Sequence, residues 1–431
     1  MTAARDLLPA VGVLLTAAGL TVAALTVPPL STGADGAPGA GGSQSLAPQP
    51  STHALACPSA PPGQSAAQLL DNSASAEKVA VGHVGNDVAA AARLLPAGQH
   101  QAVGGVWLTG APRADVSWWG PCLPGAADQL VQLANPTGAK LLLANPGASD
   151  ARVDLTLYGA QGPVRAIGTS GITVPAGAQQ LVPISVQAPA GKPVGARIVA
   201  SQGRVAAWAM VDDGGGADYL PAATVLGSQV LPAVPMGGTS QVLLTNPGEQ
   251  RSTVKLTAHG RRGAFQPTGA AETIVEPGST VLADVSRSFA GEVGSLSLAS
   301  DQPVAASLWS RVGKDLALAP GMPLLGGGEL VLPAAATVIL TNPAGADQQV
   351  QVRQSDGSQK EWTVPGGGVV TIEPQPTTGQ PGTAAPGLIR FTGGQVAAGA
   401  VVTGAGTSLV PAQGAAAARG DSTLRQDPAL R

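Results

Sequence analysis

Residues 141–147 read LLLANPG. An Asn-Pro pair behind an apolar run is either a chemical site or a corner of the chain, and the fold depends on which. Recurrence decides. The pattern returns as VLLTNPG at 242–248 and as VILTNPAG at 338–345, so that Asn145, Asn246 and Asn342 stand 101 and then 96 residues apart. Asn favours turns through its side-chain hydrogen bonds, and Pro turns the residue before it away from helix. The pairs Asn145-Pro146, Asn246-Pro247 and Asn342-Pro343 are therefore expected at equivalent strand-end turns, as structural features of a repeat.

The landmarks that follow recur in the same order. Val153, Leu155 and Leu157 alternate with polar residues, as do Val254, Leu256 and Ala258, and then Val350 and Val352. Period two marks a half-buried strand. A turn comes next: Pro175-Ala176-Gly177, Pro277-Gly278 and Pro365-Gly366-Gly367, where Pro presets φ and Gly accepts its positive values. Small residues then precede Trp208, Trp309 and Gly399, as expected where sheets approach closely. A unit of about 70–100 residues with several short strands fits an immunoglobulin-like sandwich, whereas propeller blades and solenoid turns run nearer ~20–50 residues. The expected fold class is all-β, with tandem immunoglobulin-like β-sandwich units behind an N-terminal transmembrane helix and a flexible linker.

Composition points the same way. In 431 residues, Gly 59 and Pro 38 approach a quarter of the chain, aromatics are 3% and charged residues 11%, against about 25% charged in ordinary soluble domains. That favours turns and short strands over long helices. The net charge is −3 and the 23 Lys and Arg form no basic run, so nucleic acid is not an expected partner.

Residues 7–27, LLPAVGVLLTAAGLTVAALTV, carry no charge and match the ~20 apolar residues of a bilayer-spanning helix. Arg5 precedes the run and the next basic residue is Lys78, which places the remainder of the chain outside the cytoplasm. A cleaved signal peptide with a small-residue site near Thr32-Gly33-Ala34 is the alternative and would make the protein secreted, but the run exceeds the usual ~7–15 residues. Cys57 and Cys122 both fall in the exported part, so one disulfide is the default. Lipidation of Cys57 is disfavoured, because it lies some thirty residues past the apolar run.

The expected layout is a cytoplasmic N-terminus (1–6), an anchor (7–30), and a Gly/Pro/Ser/Ala linker (31–56). An N-terminal disulfide-bearing module (57–137) follows, then sandwich units at 138–228, 229–328 and 329–413, and a disordered tail (414–431).

The order of landmarks resembles an actinobacterial family of exported proteins known as domain of unknown function 5719. The resemblance rests on the N-terminal apolar segment, Cys57-Pro58, SWWGPC at 117–122 ahead of LLLANPG, VDLTLYGAQGPV from Val153, and GADYLP at 216–221. One departure is that Cys122 follows the Trp pair instead of preceding it. The resemblance implies a β-rich ectodomain at the cell envelope and carries no catalytic residues.

Chemistry-bearing patterns are few. His53, His83, His100 and His259 are dispersed without metal spacing and read as surface or loop residues. Neither a nucleophile elbow nor a phosphate-cradling loop occurs. Asp212 to Asp218, DDGGGAD, lacks the alternating acids and closing Glu of a calcium loop and reads as a Gly-rich connection. Arg419-Gly420-Asp421 reads as chance in an Ala/Gly-rich tail. Trp107, Trp118 and Trp119 form the densest aromatic cluster; they are the candidate contacts for a ligand or partner, with core filling as the blander reading. The expectation is a noncatalytic envelope protein, without cofactor or metal, that scaffolds or binds proteins. A module for cell-wall glycan is the alternative and an envelope enzyme the third reading.

Overall fold

The computed structural model describes residues 54–61, 67–72, 76–79, 90–95, 102–110, 112–289, 291–374 and 387–414. The expected anchor, most of the linker and nearly all of the tail lie outside the described residues. So do His53, His83, His100 and the Arg419-Gly420-Asp421 tripeptide. The described chain is all-β; its only helical pieces are the single 3-10 turns Ile184–Val186 and Ser286–Phe289. Among the described residues no helix is long and apolar enough to cross a membrane.

Each repeat builds two sheets. In unit 1, one sheet orders Ala217–Pro221, Ala206–Asp212, Ala139–Ala144 and Ala178–Val182, with Ala90–Ala91 added at the outer edge. The other orders Asp128–Leu133, Val194–Gln202, Ala151–Gly159 and Gly162–Val164. Units 2 and 3 repeat the arrangement, but a single long strand, Gly294–Val312 or Gly387–Thr403, runs through both sheets. The first strand of each unit begins earlier than the repeat implied, at Asp128, Leu226 and Leu325.

The two sheets read differently in sequence because they are buried differently. In Ala151–Gly159, Val153, Leu155 and Leu157 are buried while Arg152 and Thr156 are exposed, which is a strand with one face on a core. In Ala139–Ala144, Leu141, Leu142 and Leu143 are all buried. Leu141 and Leu143 join the core of unit 1, whereas Leu142 joins the core of the N-terminal module. The same division recurs: Leu243 packs in the unit 1 core while Val242 and Leu244 face unit 2, and Ile339 packs in the unit 2 core while Val338 and Leu340 face unit 3. Three consecutive apolar residues are what a strand covered on both faces requires.

The units are therefore not separate sandwiches in a row. Each contributes one sheet that points at a common axis, and its second sheet fills the sector between that sheet and the next. The N-terminal module supplies a fourth axial sheet, Ala76–Val79, Ala67–Asp71, Gly104–Thr109 and Ser117–Pro121. The four innermost strands, Ser117–Pro121, Ala217–Pro221, Asp315–Pro320 and Thr407–Pro411, contact one another in a closed cycle. Length argued against propeller blades because it assigned all of each unit to one element. The axial sheets are blade-like, and the extra residues go into the spacers.

The sectors are joined by apolar packing and by buried polar bonds. Leu70, Val103, Trp107 and Trp119 of the N-terminal module share a core with Leu330, Val338 and Val350 of unit 3, which closes the ring. Gln132 of unit 1 donates to Thr245 Oγ1 (2.9 Å) and accepts from Ser307 Oγ (2.7 Å) of unit 2; Thr341 Oγ1 of unit 3 donates to Ser295 Oγ of unit 2 (2.8 Å).

Leu55 and Ala56, assigned by sequence to the linker, belong to the fold: Leu55–Cys57 pairs with Arg93–Leu95 and all three of its residues are buried. Cys57 is disulfide-bonded to Cys122, 65 residues away. A bridge of that span stabilises by about 4 kcal/mol in the chain-entropy model. Urea melts with and without reductant should differ by about that amount; near-identical melts would show that the N-terminal module holds its place without the bond.

Candidate functional site

The most concentrated polar chemistry lies on the axis. Asp315 opens its innermost strand, and its carboxylate collects N–H donors from all four innermost strands. Oδ2 accepts from Ser117 N (3.1 Å) and Thr407 N (2.9 Å); Oδ1 accepts from Leu316 N (2.9 Å) and, more weakly, Ala217 N (3.4 Å). Asp218, fully buried, sits beside it. Its Oδ1 accepts from Trp119 N and Tyr219 N, each at 2.8 Å, and its Oδ2 from Leu318 N at 2.9 Å. Ser117 Oγ and Ser408 Oγ complete the cluster at 3.0 Å.

Burial pushes both carboxyls above the ordinary range. For Asp218 the effect is large; its three N–H donors oppose it and the neighbouring Asp315 adds to it. For Asp315 the N–H donors likewise oppose the effect of burial. Two close carboxylates in a cleft would be acid/base candidates. These two are buried with their oxygens committed to backbone N–H groups, so they fasten strands together. Gly406 is part of the same fit: a Cβ there would overlap Asp315 Oδ2 and lie 2.6 Å from Ser117 N. Gly406→Ala should cost about 2 kcal/mol in a chemical melt, as overpacking does.

The aromatic cluster is internal. Trp107 is 5% exposed, Trp118 0% and Trp119 2%. Trp118 packs against Tyr219 with centroids 5.1 Å apart, and Trp208 Nε1 donates to Pro121 O across the junction with unit 1. None of the three rings of the cluster presents a face to a sugar or a partner, which corrects their candidacy as contacts; Trp118 packs in the core that holds the disulfide, and Trp107 and Trp119 in the core shared with unit 3.

The three asparagines share one geometry. Asn145 is buried at the end of its strand. Its Nδ2 donates to Ser149 O (2.8 Å) and Val174 O (3.0 Å), while its Oδ1 accepts from Gly147 N (2.9 Å). Asn246 does the same with Gln250 O, Val275 O and Gly248 N, and Asn342 with Ala346 O, Val364 O and Ala344 N. Each is a clip that ties the turn to the strand arriving 22 or 29 residues later. Pro146, Pro247 and Pro343 follow the clips and direct the chain into the turn.

His259 departs from the surface reading. It is 1% exposed, its Nδ1 is 2.8 Å from Gly367 O of unit 3, and its Nε2 is 2.7 Å from Ser297 Oγ. A carbonyl only accepts, so Nδ1 carries the proton and Nε2 accepts from the serine. Burial holds His259 below its usual range and keeps it neutral. At the preceding junction the same place is held by Thr280 Oγ1 donating to Tyr158 O (2.8 Å), which marks the histidine as an inter-unit clip.

Asp212 and Asp213 accept from Gly214, Gly215 and Gly216 N and pair with Arg113 and Arg311, so the Gly-rich loop is held by arginine. Among the described residues no group of three His, Cys, Asp or Glu is placed to hold a metal.

The axial carboxylates gave no sequence signal of their own, since an Asp beside glycines reads as a turn. One signal was available for the axis itself. Each innermost strand ends in proline, Pro121, Pro221, Pro320 and Pro411, at spacings of 100, 99 and 91 residues, which counts four modules where the Asn-Pro register counts three.

No curated protein and no solved structure matches the chain. A family model described as "Family of unknown function (DUF5719)" matches residues 121–375. The match runs from the last residue of the first innermost strand through units 1 and 2 and most of unit 3, which is more than half of the sequence, and the chain accordingly belongs to the DUF5719 family.

Proposed function

We propose that the protein is an exported cell-envelope scaffold, a noncatalytic ectodomain that binds other proteins, with immunoglobulin-like sandwich units and with residues 7–30 as its single-pass anchor. The observation that carries the reading is the closed ring. Its polar chemistry, from the axial carboxylates to the His259 clip, is spent on fastening modules together, which suits a rigid support. The disulfide supports an oxidising compartment, because such bonds are rare in the cytosol. The uncharged run in residues 7–27 supports a membrane attachment, with secretion after cleavage as the alternative. Envelope proteins are the proposed partners, and nucleic acid is not among them. The glycan reading loses the support of Trp107, Trp118 and Trp119 because their rings are internal.

The test is fractionation of intact cells with surface proteolysis and a non-reducing gel. Export predicts a membrane-bound chain, cut from outside, with Cys57 and Cys122 oxidised. Recovery as a reduced, protease-shielded cytosolic protein would overturn the reading. Cross-linking in those cells should then join the ectodomain reproducibly to neighbouring envelope proteins.

A further inference from the structure

The junction that closes the ring between unit 3 and the N-terminal module carries a charge pattern that its counterparts lack. Arg353 and Arg390 stand directly opposite each other on the antiparallel strands Gln348–Gln354 and Gly387–Thr403, and both line a groove of about 250 Å³. The equivalent cross-strand pairs are Thr156 with Arg197 in unit 1 and Thr257 with Ser297 in unit 2. Like charges placed opposite each other on a sheet repel. Glu329, whose Oε1 lies 2.7 Å from Arg390 Nε, offsets one of the two charges. Among the described residues no carboxylate lies within ion-pair distance of Arg353. In unit 1 the single Arg197 is fully matched by two bonds to Asp128, at 2.6 and 2.9 Å.

Among the described residues no acidic side chain lines the groove, whose other walls include Asn72 and Ser355. The nearby Asp356 carboxylate is turned to Ser358 N at 2.8 Å. Two guanidinium forks on one wall, one of them without a counter-charge among the described residues, match the oxygens of a phosphoryl group, which accepts planar bidentate bonds from arginine. We infer that this groove binds a phosphate ester between Arg353 and Arg390. The ester is either part of an anionic envelope polymer or the headgroup of a phospholipid. The phosphate site rests on the cross-strand pair and its groove, and only the choice of an envelope polymer or a headgroup as its source rests on the envelope reading.

The test uses the purified full chain in non-ionic detergent at low salt, titrated calorimetrically with inorganic phosphate, glycerol 3-phosphate and micellar phosphatidylglycerol. Saturable binding is expected, with affinity about tenfold weaker in Arg353→Gln, where one charge-assisted contact is lost. Arg353 is exposed and outside the Glu329–Arg390–Asn72 cluster, and its removal relieves the cross-strand repulsion, so that variant should melt no lower than wild type. Glu329→Gln should tighten binding by freeing Arg390. Preference for the lipid over glycerol 3-phosphate assigns the headgroup, and the reverse assigns the polymer. Equal affinity in wild type and Arg353→Gln, or no saturable binding of any probe up to about 50 mM, would overturn the site.

Discussion

Asp218→Ala should be among the most damaging single substitutions on the axis, lowering the unfolding free energy by about 4 kcal/mol. It strips the acceptor from three buried N–H groups, on Trp119, Tyr219 and Leu318, that belong to three different innermost strands. Each orphaned donor costs about 1–3 kcal/mol, and partial relaxation keeps the sum below the maximum. Asp218→Asn should cost less, because Oδ1 can still accept from Trp119 and Tyr219 while its amide faces the Leu318 donor. The pH dependence has a definite sign. The folded-state carboxyl is pushed well above its ordinary value, first by burial and further by Asp315. Between the unfolded value of about 3.9 and the raised folded value, the native state holds a proton that the unfolded state has released. The group's contribution is therefore complete below about pH 4 and is lost as pH rises. Urea melts at successive pH values should show that decline in wild type and a shallower one in Asp218→Asn; parallel slopes would mean that Asp218 does not titrate in this window.

The all-β class was legible because period-two alternation at Val153, Leu155 and Leu157 and the Pro-Gly turns are local signals. The arrangement of the units was less accessible. Leu141, Leu142 and Leu143 announce a strand covered on both sides, but which element covers the second face depends on residues far away, among them Trp118 and Tyr219. Treating each repeat as self-contained hid the shared cores. The N-terminal module was legible as a separate module, but its kinship with the repeats was hidden for a similar reason: it lacks an Asn-Pro turn, and its membership shows in Ser117–Pro121 and the cycle that strand completes. Asp315 and Asp218 acquire their roles from donors as far as 198 residues away, beyond any motif window. The paired arginines were equally silent, because Arg353 and Arg390 become neighbours only through strand register.

Asn246→Asp should be worse than Asn246→Ala, although it keeps the shape of the side chain. The alanine variant loses three buried bonds and leaves Gly248 N and the carbonyls of Gln250 and Val275 without their partner, for a cost of about 3 kcal/mol. Aspartate adds a conflict. It replaces the donor Nδ2, 2.7 and 3.1 Å from those two carbonyl oxygens, with a second acceptor in a fully buried position. Burial and facing oxygens disfavour the charged form, so the introduced carboxyl is forced upward and the native state favours its protonated form, which can donate to one carbonyl. The variant should therefore recover stability relative to Asn246→Ala as pH falls, a dependence the alanine protein lacks. Because Asn145 and Asn342 hold the same bonds, the ordering of alanine and aspartate should repeat at all three positions. If the aspartate variants instead matched wild type, the clip would be acting through Oδ1 alone. The repeat would then be held by a single turn bond and not by the tie to the returning strand.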